Sequence, residues 1–195
     1  MKLKTGIRDK RRQDLHSLYQ KIQSTSDSEK EQIYSSLKKT YKYKQIIDLF
    51  YDILEKNLSI ILTEIQSIFI SYDENTPIEI SKLLYKKDNK TLEHRIKDWF
   101  KEYPNQKEDL YNLFQHLCVI LDTEKQHLIP AVIKQKTQVK YGEIEVGGGE
   151  CSTGICTEMA GEGFLPLDEL EEPPFHPNCT CELYEYEEED IDQNN

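Results

Sequence analysis

From Leu15 to Leu121 the apolar residues recur by threes and fours, the spacing of one helix face. Leu15, Leu18, Tyr19 and Ile22 form a first stripe. Ser24-Thr25-Ser26-Asp27-Ser28 interrupts it, and Ser26 with Glu29, or Ser28 with Glu31, offers a capping box to a second helix carrying Ile33, Tyr34, Leu37 and Tyr41. The strongest periodicity follows: Ile47, Phe50, Leu54, Leu58, Ile61, Ile65 and Ile68 run along one face. A long helix with a single apolar stripe requires partner helices on that side. Thr76-Pro77-Ile78-Glu79 is a further start signal, ahead of a short helix with Leu83 and Leu84. A helix over residues 91–102 bears Leu92, Ile96, Trp99 and Phe100 and stops at Pro104. Asn105 and Glu108 open the last one, with Leu110, Leu113, Phe114, Leu117, Ile120 and Leu121. Cys118 lies on that stripe and reads as a buried thiol, packing as a small hydrophobe. His16, His94, His116 and His127 read as solvated or capping residues.

The pattern changes after Pro130. Val139, Tyr141, Ile144 and Val146 sit in an extended stretch, expected to form a hairpin with Ala131 to Ile133. Gly147-Gly148-Gly149 marks a turn or joint, and without a following Lys-Ser/Thr it is no phosphate loop. The acidic run from Glu185 to Asn195 reads as a disordered tail. The expected organisation is a helical domain over 1–130, a small β-containing Cys/His module over 131–184 and the tail over 185–195. The fold class is mainly α: an elongated helical bundle followed by a small β/loop, zinc-knuckle-like Cys/His module.

Charge sharpens this division. All 25 Lys and Arg fall in residues 1–140, beside 20 Asp and Glu, whereas residues 141–195 hold 16 Asp and Glu and no basic group. So acidic a segment cannot bind nucleic acid through phosphate neutralisation. The first 44 residues, with 12 basic and 5 acidic groups, can. Two readings stand for them: a solvated helical face in a Lys-rich protein, or a surface that meets nucleic acid. The basic N-terminus lacks an apolar core of the kind a secretory signal needs. The most apolar stretch, Ile46 to Ile70, is interrupted by Asp48, Asp52, Glu55, Lys56 and Glu64, which excludes a membrane span there. The expectation is a soluble protein whose cysteines are thiols or metal ligands.

Four of the five cysteines fall within the 31 residues from Cys151 to Cys181. Structural zinc takes four thiolate or imidazole ligands, usually as close pairs from two chain segments. Cys151 and Cys156 make one pair, and His176 with Cys179 makes the other. Cys181 is held as a substitute, because two residues apart on an extended chain would put Cys179 and Cys181 on opposite faces. Disulfides, or a relic site that holds nothing, are the competing readings. No His-x-Glu precedes a Pro-Cys-x-x-Cys as a zinc deaminase requires, and neither a Ser-centred elbow nor a His-Glu-x-x-His occurs.

The order Cys156-Thr157-Glu158-Met159-Ala160-Gly161-Glu162-Gly163-Phe164-Leu165-Pro166-Leu167-Asp168-Glu169-Leu170, then Pro173-Pro174-Phe175-His176-Pro177-Asn178-Cys179-Thr180-Cys181, resembles the C-terminal module of phage minor head proteins, the Mu F-like head morphogenesis family. That pattern is Cys-x-x-Cys, a small-residue turn, a Pro-Leu-Asp-like segment and a His-Pro-Asn-Cys-Arg-Cys close. Two departures stand out: the first cysteine is Cys151 where the pattern would place one at Thr153, and Thr180 replaces the arginine. The resemblance covers under a fifth of the chain. It implies a non-catalytic virion component, assembled in the host cytoplasm, part of a larger assembly near the portal or major capsid protein, and acting in head assembly or DNA ejection. The alternatives are a phage-encoded toxin or enzyme of the kind associated with ADP-ribosyltransferases, and a zinc-binding adaptor.

Overall fold

In a computed structural model, which describes residues 3, 4, 6–86, 90–146, 154–175 and 179–192, the periodic stretches fold as helices. They are α1 (Ile7–Ile22), α2 (Asp27–Thr40), α3 (Tyr43–Ile68), α4 (Ile80–Leu83), α5 (Leu92–Glu102) and α6 (Gln106–Lys136). After them come β1 (Val139–Glu145), α7 (Ile155–Gly161), β2 (Leu165–Pro166), β3 (Glu182–Glu187) and a 3-10 turn (Glu188–Asp190). The protein is thus mainly α, a helical bundle with a small three-stranded sheet and a C-terminal cysteine cluster.

Local chemistry sets the helix ends. Ser26 and Glu29 close a reciprocal capping box on α2: the Glu29 N–H donates to the Ser26 hydroxyl, and the Ser26 N–H to the Glu29 carboxylate at 2.7 Å. The Asn105 side chain accepts from the Lys107 N–H at the start of α6, while Asp109 rather than Glu108 accepts from the Asn105 N–H. Two cores result. One joins α2, α3, α5 and α6 through Ile33, Leu37, Phe50, Leu54, Ile96 and Leu121. The other joins α1, α3 and α6 to β3 through Leu15, Tyr19, Ile61, Ile129, Tyr184 and Tyr186.

Two expected boundaries are corrected. Helix α6 does not end at Pro130 but runs through it to Lys136, so Ala131 to Ile133 are helical and form no hairpin. An interior proline costs roughly 3 kcal/mol. Leu128, Ile129, Val132 and Ile133 flank it and are fully buried. At about 1.5–3 kcal/mol per buried aliphatic side chain, they outweigh that cost. The sheet has the order β2-β1-β3, both pairs antiparallel, with Ile144 opposite Leu183 and Gly142 opposite Glu185. Gly142 is closely approached: a Cβ there would stand 2.8 Å from Leu167 Cδ2 and 3.0 Å from Leu183 Cδ1, and these side chains would have to shift.

The second correction concerns the acidic tail. Within the described residues, 185–187 belong to the buried strand β3, and Ile191 bridges to Leu3. Helix α1 supplies the counter-charges. Arg11 pairs with Asp190 at 2.7 Å and Glu187 at 3.4 Å, and Arg12 with Glu143 at 3.1 Å and Glu145 at 3.0 Å. Arg8 also pairs with Glu143, and His16 Nδ1 lies 2.8 Å from Glu182. The excess positive charge of the N-terminus and the excess negative charge of the C-terminus therefore meet inside one molecule.

Candidate metal centre

Cys156 sits in the first turn of α7, which starts after Gly154 in the left-handed region at φ 75°. Cys179 and Cys181 come from the segment that leads into β3. Their exposures are 2%, 6% and 0%. Ile144, Leu167, Leu170 and Leu183 enclose them, with Met159 and Phe175 at the margin. The three sulfurs lie within 4.8 Å of one another, and Cys156 Sγ stands 3.8 Å from Cys179 Sγ. Two ligands of a tetrahedral ion with bonds of about 2.3 Å are about 3.8 Å apart. A disulfide would require about 2.05 Å, and none of the three forms one.

The sulfurs are electrostatically unequal. The Cys181 thiol donates to Cys179 and is the largest influence holding the Cys179 thiol down, to about 5, against the opposing effect of burial. Backbone N–H groups of Cys181 and Phe175 and the Cys156 thiol act in the same direction. The same contact with Cys179, reinforced by burial, drives Cys181 far above the ordinary thiol range. Soft, clustered sulfur suits a thiophilic divalent cation. Three buried cysteines thus lie close enough to hold a metal ion.

Of the four expected ligands, Cys156 and Cys179 are brought together, while Cys151 and His176 lie outside the described residues. Cys181 was expected only as a substitute, yet it joins the cluster. The alternation argument fails because residues 179–181 are unpaired; β3 and its pleat begin at Glu182. Cys118 is buried in the bundle, where burial raises its thiol to about 11. His116 stacks on Trp99 with ring centroids 3.7 Å apart. His127 packs edge-on against Tyr85, and burial holds its imidazole below the usual range.

Sequence reasoning did not foresee the polar contacts of β3 and the segment before it with the helices. His16, Arg12, Gln20, Glu145 and Glu182 line a cleft of about 750 Å³ between α1 and the sheet. The Tyr184 hydroxyl donates to Glu182 at 2.7 Å, and Gln126 of α6 reaches the cysteine loop. No local motif announces the His16–Glu182 and Gln126–Cys181 contacts, whose members lie far apart in the chain. No family profile, curated protein or solved structure matches the chain.

Proposed function

We propose that this protein is a non-catalytic structural component of a bacteriophage head, a minor head protein acting in head morphogenesis near the portal. Its C-terminal module is stapled by zinc bound to Cys156, Cys179 and Cys181, with His176 or Cys151 completing the set. The observation that carries the reading is the buried three-thiol cluster within the segment that resembles the phage head family. A bound cation supplies the charge that holds all three sulfurs as thiolates. The aliphatic enclosure favours a structural role, since a catalytic zinc keeps an open position for water or substrate.

The helical bundle is the surface through which the protein docks on the portal or major capsid protein. Contact of α1 with packaged DNA is not part of the reading, because Arg8, Arg11 and Arg12 face the protein's own carboxylates. An enzymatic reading needs His176 or Cys156 exposed beside a second titratable group; Cys156 is buried, and His176 lies outside the described residues. No helix among the described residues is long and apolar enough to cross a membrane. The test is to tag the protein in the phage that encodes it and purify mature heads. Retention with portal-containing particles is expected; its absence from both proheads and heads overturns the assignment.

A further inference from the structure

Gln126 lies within α6 and is buried. Its Nε2 donates to the backbone carbonyl of Cys181 at 2.6 Å. A buried amide and a buried carbonyl each need a partner, and here they satisfy one another. Two residues further on, the Tyr19 hydroxyl of α1 meets both the N–H and the C=O of Leu183 at 3.3 Å. Pairing with β1 begins at Glu182, opposite Glu145, so the sheet does not set the backbone of Cys181. Among the described residues, Gln126 is the partner of its carbonyl.

We infer that Gln126 is a positioning residue for the metal centre. By fixing the Cys181 carbonyl against α6, it holds the Cys181 thiol in the cluster with Cys156 and Cys179. Metal capture is thereby coupled to the long helix of the bundle. This inference rests on the reading that the three thiols hold zinc. Outer contacts that orient metal ligands commonly change metal affinity by about tenfold to a hundredfold when removed.

The test measures Zn²⁺ affinity of the full chain by competition with a chromophoric chelator, and Co²⁺ thiolate charge-transfer absorption as a second readout. Gln126→Met keeps the volume and loses the donor, and Gln126→Glu keeps the length and a polar end that cannot donate when ionised. Both are expected to bind about tenfold to a hundredfold more weakly, with a weakened Co²⁺ band. Gln135, also on α6, donates to the Pro77 carbonyl at 3.0 Å, so Gln135→Met is the matched control and keeps wild-type affinity. Should Gln126→Met lose helix content, Gln126→Glu decides. Wild-type affinity in Gln126→Glu, or equal weakening in Gln135→Met, overturns the inference while leaving the zinc reading intact. A wild-type protein that binds neither ion overturns both.

Discussion

Helix α3 and strand β3 both bury much of their length, but by different means. In α3 the buried side chains are aliphatic or aromatic apart from Asn57, and they meet other apolar side chains across the bundle. In β3, Glu-Leu-Tyr-Glu-Tyr-Glu, every residue is buried and half are carboxylic acids. Glu182 lies against His16 and Tyr184, and Glu187 accepts from the Ser71 and Ile70 N–H groups and faces Arg11. Glu185 is buried without such a set. The first element is built from transfer free energy that any neighbour of the right shape can supply. The second depends on named partners, since removing one partner of a buried ion pair typically costs about 3–5 kcal/mol.

The largest expected effect follows from that dependence. Arg11→Met leaves Glu187 and Asp190 buried without their cation and is expected to destabilise the protein by about 3–5 kcal/mol in denaturant unfolding. Lys21→Met removes an exposed pair with Glu64 and is expected to cost less than about 1 kcal/mol. Equal effects would erase the contrast between the two regions. The Arg11 penalty also has a pH signature. Burial raises the Glu187 carboxyl, but hydrogen bonds from Ser71 and Ile70 and the charge of Arg11 lower it more, leaving it below its ordinary 4.5. Its contribution is present above pH 4.5 and lost as pH falls through the lower folded value. The difference between Arg11→Met and wild type should therefore shrink on acidification.

A smaller effect of opposite sign is expected at Glu185. Burial, reinforced by the charge of Glu172, drives its carboxyl well above 4.5. It stays protonated where the unfolded chain has ionised, so stability is full below about pH 4.5 and declines as pH rises towards the folded value. Glu185→Gln, a neutral mimic of the acid, is expected to raise Tm at pH 7.5 and leave it unchanged at pH 4. Thermal melts at the two pH values check this, and a loss of stability at pH 7.5 would show that the ionised form is the native one.

The same comparison explains what was legible in the sequence. Periodicity located every long helix, and Ser26 with Glu29 marked the start of α2, because burial and capping there are local matters of residue type and spacing. Pro130 misled because four buried aliphatic neighbours outweigh a local helix breaker. The acidic run from Glu185 misled because its partners, Arg11 above all, lie more than a hundred residues earlier in the chain. Within the cluster, spacing found Cys156 and Cys179, but Cys181 joins them because residues 179–181 lie ahead of β3 and outside its pleat, which spacing does not encode. Gln126 carries no signal at all, since a glutamine on a helix is ordinary until its partner is known.

Metal content of the full chain, purified without chelator, tests the central claim most directly. The wild-type protein is expected to carry about one zinc per chain. Cys181→Ser is expected to lose it, with the helical signal of the bundle retained. Less than about half an equivalent in the wild type, or full zinc occupancy in Cys181→Ser, would contradict the account.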